Sequence, residues 1–277
     1  MSIYEDYQTT SQNYDSTRVP VGTEIVFGCL ETLKRPLSEL SILDAGCGTG
    51  NYSEVLLPRV GRIEAVDLNA GMIAQAEAKL GAEVKAGRIR FQQGSIDALP
   101  LEDECVDAIV INQVIHHLED EGTSGFPRHG QVFKEFARVV KPGGLLLINT
   151  CSREQLRRGY WYYDLIPQAV EKLALKYMEM DALKSLLSEC GFECQERYVP
   201  LDAVLQKKAY FNPEGLLDPE CRAGDSTFAL LSSEELHEME STLRSLKAAG
   251  KLEAYFREKD ASRPNVGQSM FVCARRA

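Results

Sequence analysis

Leu43-Asp44-Ala45-Gly46-Cys47-Gly48-Thr49-Gly50-Asn51-Tyr52 is the stretch on which the reading of this chain turns. It follows a short apolar run, Ile42–Ala45, and precedes a helical pattern near Ser53–Pro58, so its glycines stand between a strand and a helix. Glycines at 46, 48 and 50 let the backbone turn sharply and approach a ligand with no Cβ in the way. Asp67 closes the next strand-like run, Glu64-Ala65-Val66-Asp67, 21 residues after Gly46. A carboxylate there can accept hydrogen bonds from both hydroxyls of a ribose. A simple βα turn would also use glycines, but the loop joined to Asp67 points to a bound nucleoside.

Outward from this loop, strand-like runs alternate with helical patterns. The runs are Ile42–Ala45, Ile63–Val66, Ile89–Gln92, Val106–Ile111 and Leu145–Asn149; the helices are expected at Val21–Arg35, Ser53–Pro58, Gly71–Leu80 and Gln131–Val140. This is the βαβ rhythm of a parallel sheet covered on both faces, so the fold class is α/β. The C-terminal half differs. Asp181–Glu189 reads as a helix ended by Gly191, Phe192–Val199 as a strand, and the next strand comes only at Ser269–Ala274. About seventy residues between two strands exceed any ordinary connection, so they must hold structure of their own. Ser232 and Glu235 fit a capping box opening a helix that runs to Ala249 and stops at Gly250. The two flanking strands are expected to pair, making residues 200–268 a helical lid insertion.

The chain of 277 residues is 44% hydrophobic and 26% charged, enough for a sizeable core in a single domain. Its formal charge of −10 opposes binding to nucleic acid or anionic membranes, where affinity comes from cationic side chains. No run of about 18 apolar residues exists, and the first residues, MSIYEDYQTT, are polar and acidic, so a cytoplasmic protein is expected. Eight scattered cysteines form no CxxC and read as free thiols. Cys190, Cys194 and Cys221 are the one set that suggests a soft metal or metalloid, but Cys190 precedes a helix stop and Cys194 falls in a strand, so no metal is expected.

The usual dinucleotide fingerprint is GxGxxG, whereas here Asp44-x-Gly46-x-Gly48-x-Gly50 has Asn51 where the third glycine would stand, which favours adenosylmethionine over NAD. The chain resembles the class I S-adenosylmethionine-dependent methyltransferases, in particular the ubiquinone and menaquinone biosynthesis branch known as methyltransferase type 11. LDAGCGTG, AVDLNAGMIAQAEAK, GSIDALPLEDECVDAIV, INQVIHHLED and EFARVVKPGGLLLI carry the resemblance in order, from Ile42 to Thr150, with a looser continuation through Phe192. It implies a Rossmann-like, doubly wound, seven-stranded and mostly parallel sheet with a C-terminal antiparallel strand. It also implies a core over residues 41–150, an N-terminal cover and helix over 1–36, and lid or substrate elements at 151–180 and 200–268.

For the donor, S-adenosyl-L-methionine, the resemblance places Asp44, Gly46, Cys47, Gly48 and Gly50 along the ligand. Asp67 falls on the ribose, and Leu68 and Met72 beside the adenine. Members commonly carry an acid after the glycine of the third motif; here Gly94 is followed by Ser95, whose hydroxyl, or the Ile96 amide, can take over part of that contact, with Asp97 as the alternative. Asn112 and Gln113 would run past the methyl group. Tyr14 would cover the sulfonium and Arg18 its carboxylate, in an N-terminal stretch that also holds Tyr4 and Tyr7; the alternative is a frayed terminus.

Methyl transfer from a sulfonium is an in-line displacement in which positioning alone can contribute about 7–11 kcal/mol. A base is needed for a hydroxyl or acidic carbon, and none for a thiolate or free amine. His116 and His117 are the candidates, against the plain reading that they fix a turn. Tyr160, Trp161, Tyr162 and Tyr163 either line an acceptor pocket or pack the lid, and Arg157 and Arg158 either meet an anionic substrate or lie solvated. The expected partner is a small-molecule acceptor, with the chain a monomer or homodimer. The competing reading is an adenosylmethionine-binding protein with non-methylating chemistry or a regulatory role.

Overall fold

The computed structural model describes residues 20–120, 125–223 and 225–277. Tyr4, Tyr7, Tyr14 and Arg18 lie outside the described residues, and with them the expected N-terminal cover. Seven strands form one sheet: β1 Ser41–Ala45, β2 Arg62–Asp67, β3 Ile89–Gln93, β4 Val106–Asn112, β5 Val140–Thr150, β6 Phe192–Tyr198 and β7 Met270–Arg276, in the order β3-β2-β1-β4-β5-β7-β6. β1 to β5 pair in parallel. β7 runs antiparallel to both neighbours, so the expected pairing of the last two strands holds, with Phe192 opposite Arg276 and Tyr198 opposite Phe271.

Alternate residues of each central strand serve opposite faces, as the two-residue period of a strand requires. Leu43, Ala45, Ile109, Ile111, Leu146 and Ile148 pack with Phe133 and Phe136 of helix Pro127–Val139 and with Leu183 and Leu187 of helix Met180–Glu189. Ile42, Ile63, Ala65, Ala108, Val110, Leu145 and Leu147 face Val26 and Leu30 of helix Thr23–Glu31, Leu56 of Asn51–Leu56 and Ile73 of Ala70–Lys79. In chain order the α-helices among the described residues are α1 Thr23–Glu31, α2 Asn51–Leu56, α3 Ala70–Lys79, α4 Gly81–Lys85, α5 Pro127–Val139, α6 Arg153–Arg158, α7 Pro167–Ala174, α8 Met180–Glu189, α9 Pro219–Arg222, α10 Ser233–Ala248, α11 Leu252–Asp260 and α12 Arg263–Val266.

Two element bounds shift for local reasons. α5 begins at Pro127, earlier than the expected Gln131, because proline suits the first turn of a helix, where its missing N–H is no loss. α1 is confined to Thr23–Glu31: Gly22, at φ 63°, turns the chain into it, and a Cβ there would come within 2.4 Å of the Phe271 ring.

A third cluster lies beyond the sheet. Trp161, Tyr162, Tyr163, Val170 and Leu173 pack with Leu205, Tyr210, Leu216, Met239, Leu243, Leu252 and Phe256, joining the segment after β5 to the long segment between β6 and β7. Glu235 helps to make this junction, which corrects the expected capping box. The Ser232 hydroxyl does accept from the Glu235 amide at 3.1 Å. The Glu235 carboxylate, however, turns away to accept the Gln168 and Ala169 amides at 2.7 and 3.3 Å. Those are orphan donors at the start of α7, whose own N-cap position, Ile166, has no side-chain acceptor. A complete capping box forms instead at Ser152 and Gln155, opening α6.

Candidate functional site

Strand order reverses between β1 and β4, and a crevice opens there at the carboxyl ends of the strands, the usual ligand position in such sheets. One wall is the loop after β1. The Gly46 and Cys47 amides both donate to the Val66 carbonyl, at 2.8 and 3.1 Å, drawing the loop onto β2. Gly46, at φ 71°, lies so close to Val114 that a Cβ would come within 2.6 Å of its methyl. This glycine therefore serves packing. Gly48 differs: at φ 54°, a Cβ there would meet nothing within 4 Å and would project into open space.

Asp67 ends β2 and holds this geometry in place. Its two carboxylate oxygens accept the Gly48 and Asn69 amides, each at 2.8 Å. Burial raises its pKa, against the lowering effect of those amides. Asp44 is deeper, only 2% exposed, and accepts the Ser53 hydroxyl at 2.7 Å. Burial pushes its carboxyl up to about 6, opposed by the Ser53 bond and reinforced by the nearby Asp67. Burial and the same two carboxylates raise the Cys47 thiol. The floor of the crevice is thus anionic and under-solvated, a setting that favours a cation.

The opposite wall follows β4. Gln113 adopts φ 54°, a left-handed conformation uncommon outside glycine. Its amide donates to the Asn149 carbonyl at 2.9 Å, and its side-chain nitrogen to Asn149 Oδ1 at 3.0 Å. Asn149 Nδ2 in turn donates to the Tyr52 hydroxyl at 3.0 Å, and that hydroxyl donates to the Val21 carbonyl at 2.9 Å. Asn112 is the exception to this connected set. Both polar atoms of its amide are buried and meet no partner among the described residues. His116 stacks on Tyr177 with ring centres 4.8 Å apart, and lies 4.1 Å from His117.

These walls enclose two continuous chambers. The first is lined by Gly46, Gly48, Asp67, Leu68, Met72, Ser95, Ile96, Asp97, Asn112, Gln113, His117 and Arg128. The second is lined by Asp44, Gly46, Cys47, Gly48, Thr49, Tyr52, Asn112, Gln113, His116, His117, Asn149, Tyr160, Tyr163, Tyr177, Gln206, Asp225 and Thr227, among others. Asn112, Gln113 and His117 face both, so the unpartnered amide stands at the junction. At the far end of the first chamber Ser95 contacts Asp97 through a short hydrogen bond, and Asp97 pairs with Arg128 at 3.1 Å.

Most of the residues singled out from sequence therefore meet at this crevice, but Gly50 does not reach it. A Cβ at Gly50 would come 3.3 Å from the Ala76 methyl, and the glycine, at φ 78°, serves the turn into α2. Arg157 and Arg158 pair with Glu171 and Glu154, at 2.9 and 2.7 Å, on the exposed surface. Trp161 is buried, its indole N–H donating to the Tyr210 carbonyl at 3.0 Å. Cys190 donates to the Gly130 carbonyl at 3.6 Å, and among the described residues no three side chains of metal-ligating type converge. Tyr52, Asn149, Tyr177, Gln206 and Asp225 escaped the sequence reading. Tyr52, directly after the glycine loop, and Asn149, a polar residue closing an apolar strand, offered weak signals; the other three offered none.

A sheet of this order with a crevice at its switch point defines a Rossmann-like fold. A family model described as a methyltransferase domain matches residues 43–148. The chain is 33% identical over 218 residues to the demethylmenaquinone methyltransferase of Lactococcus lactis, covering 70% of this chain and 83% of that one. It is 29% identical over 164 residues to the biotin biosynthesis bifunctional protein BioHC of Teredinibacter turnerae, covering 55% of this chain and 26% of that one. A solved structure from Anabaena variabilis, provisionally described as a methyltransferase from an antibiotic biosynthesis pathway, superimposes with a TM-score of 0.70 at 25% identity, covering 92% of this chain and 98% of that one. The chain belongs to the S-adenosylmethionine-dependent methyltransferases. It spans less than two thirds of the length of several curated relatives, 66% in one case and 26% in another.

Proposed function

We propose that this protein transfers the methyl group of S-adenosylmethionine to a small-molecule acceptor held in the second chamber. The observation that carries the reading is the Asn112 amide, buried without a partner where the two chambers meet. A buried amide left unmet is destabilising by roughly 1–3 kcal/mol, so its retention points to a ligand that completes it. The residues fit the donor. Gly48 leaves room for a nucleoside, Asp67 stands at the ribose, Leu68, Met72 and Ile96 offer apolar surface to the base, and Asp44 with Asp67 gives the anionic floor that a sulfonium and an ammonium require.

Bound there, the donor supplies a methyl already activated by the positive charge on sulfur. The protein contributes alignment and exclusion of water. The Tyr52–Asn149–Gln113 chain of hydrogen bonds fixes one wall against the reacting atoms, and the left-handed backbone at Gln113 is held by the same set. His117 faces both chambers and is the group we assign to take a proton when the acceptor is a hydroxyl or a carbon acid. Residues 151–180 and 200–268 act as the lid: Tyr160, Tyr163, Tyr177, Leu205, Gln206, Asp225 and Thr227 roof the second chamber, leaving space for a small molecule rather than a macromolecular surface.

The eight free thiols suit a reducing, cytoplasmic setting, and no helix among the described residues is long and apolar enough to cross a membrane. The test is incubation with methyl-labelled donor and whole-cell extract, afterwards separated into small-molecule, protein and nucleic-acid fractions. Label is expected in a low-mass product, with adenosylhomocysteine formed in equal amount. Label appearing only in protein or nucleic acid would refute the reading.

A further inference from the structure

Asp225 is a buried carboxylate, 7% exposed, and no cationic side chain among the described residues pairs with it. Its partners are all uncharged. The Tyr162 hydroxyl donates to Oδ2 at 2.5 Å, Gln206 Nε2 to the same oxygen at 3.3 Å, and the Thr227 amide to Oδ1 at 2.9 Å. A carboxylate taken out of water without a counter-charge is destabilising even when hydrogen-bonded, so buried charges are normally paired.

The place of Asp225 shows from which side a counter-charge can come. It stands in the wall between the second chamber and a third, which Trp161, Tyr210, Leu216 and Phe228 border together with the exposed Lys207 and Lys208. A cation entering the third chamber meets like charge. The second chamber differs: its lining among the described residues holds Asp44, Asp225 and the imidazoles of His116 and His117, but no lysine or arginine. Burial pushes the Tyr160 hydroxyl well above its ordinary range and the Asp225 charge adds to that rise, so the charge is felt at a side chain lining the second chamber and not the third. Tyr160, Tyr163 and Tyr177 border the same space, and aromatic surroundings suit a cation.

The donor does not use up this charge. Sulfonium, ammonium and carboxylate leave adenosylmethionine with one net positive charge, and on the proposed function Asp44 and Asp67 answer it. Asp225 does not border the first chamber. A metal ion is not the missing partner either, since among the described residues no three side chains of metal-ligating type converge.

We infer that the methyl acceptor carries a positively charged nitrogen, and that Asp225 selects it by receiving that charge in the second chamber. This rests on the reading of the second chamber as the acceptor site and adds the charge class of the substrate. A neutral acceptor of the same shape leaves the carboxylate unanswered, and an anionic one is repelled by it.

The full chain, saturated with adenosylhomocysteine, is titrated by calorimetry at about pH 7 with three probes of similar shape: phenethylamine, protonated at that pH, 2-phenylethanol and phenylacetate. Phenethylamine is expected to bind about tenfold more tightly than the alcohol, and phenylacetate more weakly than either. Asp225→Asn should remove the preference for amine over alcohol while leaving adenosylhomocysteine affinity unchanged. A second measurement needs no variant: the low-mass product labelled from whole-cell extract should be retained on a cation-exchange resin. No saturable heat with phenethylamine, binding no tighter than that of the alcohol, a preference that survives Asp225→Asn, or a labelled product that passes through the resin would overturn the inference. Absence of any labelled low-mass product would instead count against methyl transfer to a small molecule, the reading on which it rests.

Discussion

Asp67 holds the glycine loop, and on the proposed function it would also bind the donor's ribose; its replacement should show both. Its oxygens already hold the Gly48 and Asn69 amides, and they are also placed to receive ribose hydroxyls. Two charge-assisted bonds at about 1.5–3 kcal/mol each make Asp67→Ala at least tenfold weaker for adenosylmethionine, measured by calorimetry; unchanged affinity would put the ribose elsewhere. Gly48→Val should be worse, because on the proposed function the open space in front of that residue would take the nucleoside; a folded variant binding the donor normally would contradict the loop's role. Asp44 gives a pH dependence. With its carboxyl near 6 in the free protein, a cationic donor prefers the ionised form, so affinity should be flat above about pH 7 and fall up to tenfold per unit below about 6. For folding the sign is opposite: a raised pKa means the folded state holds the proton more tightly. That contribution is fully present below about pH 4 and is lost as pH rises through about 6. Donor affinity that does not change between about pH 7.5 and 5 would remove Asp44 from the site.

Among the elements, the junction between α7 and α10 shows what a local reading can and cannot reach. Ser232, three residues before Glu235, has the spacing of a capping box, and half of that motif forms. Its other half is claimed by α7, 66 and 67 residues away in sequence, because the first-turn amides there, Ala169 buried among them, have no side-chain acceptor at their own N-cap, Ile166. Glu235→Ala should therefore leave α10 intact but free the start of α7, at about 1 kcal/mol. A chain of this size should melt about 2–4 °C lower, and an unchanged melting temperature would make the contact incidental. The same distinction governs the site. The glycine loop and Asp67 were legible because their chemistry is local, a turn after a strand and an acid at the end of the next. The Tyr52–Asn149 bond spans 97 residues and the Tyr162–Asp225 bond spans 63, so neither leaves a mark in spacing. The class of fold was legible for a related reason, since each strand carries its own apolar alternation. The roof of the second chamber was legible as an excess of length between two strands and as the aromatic run Tyr160–Tyr163, of which Tyr160 and Tyr163 line the chamber while Trp161 packs in the cluster beyond it.

At the scale of the whole molecule, two chambers adjoin at the switch point of the sheet, and a third borders the second within the cluster that packs beyond it. The first two meet at Asn112, Gln113 and His117; the second and third meet at Gln206 and Asp225. The sheet supplies the fixed walls, and the segments after β5 and β6 supply the roof. On the proposed function, this division would let one end of the cavity keep a common donor while the other is shaped for a particular acceptor. The account depends first on what the crevice holds, and calorimetric titration of the unaltered protein with adenosylmethionine and, separately, with NADH decides it. Saturable heat with adenosylmethionine, lost in Asp67→Ala, and none with NADH under the same conditions is the predicted result. Tight NADH binding with no adenosylmethionine heat would contradict it.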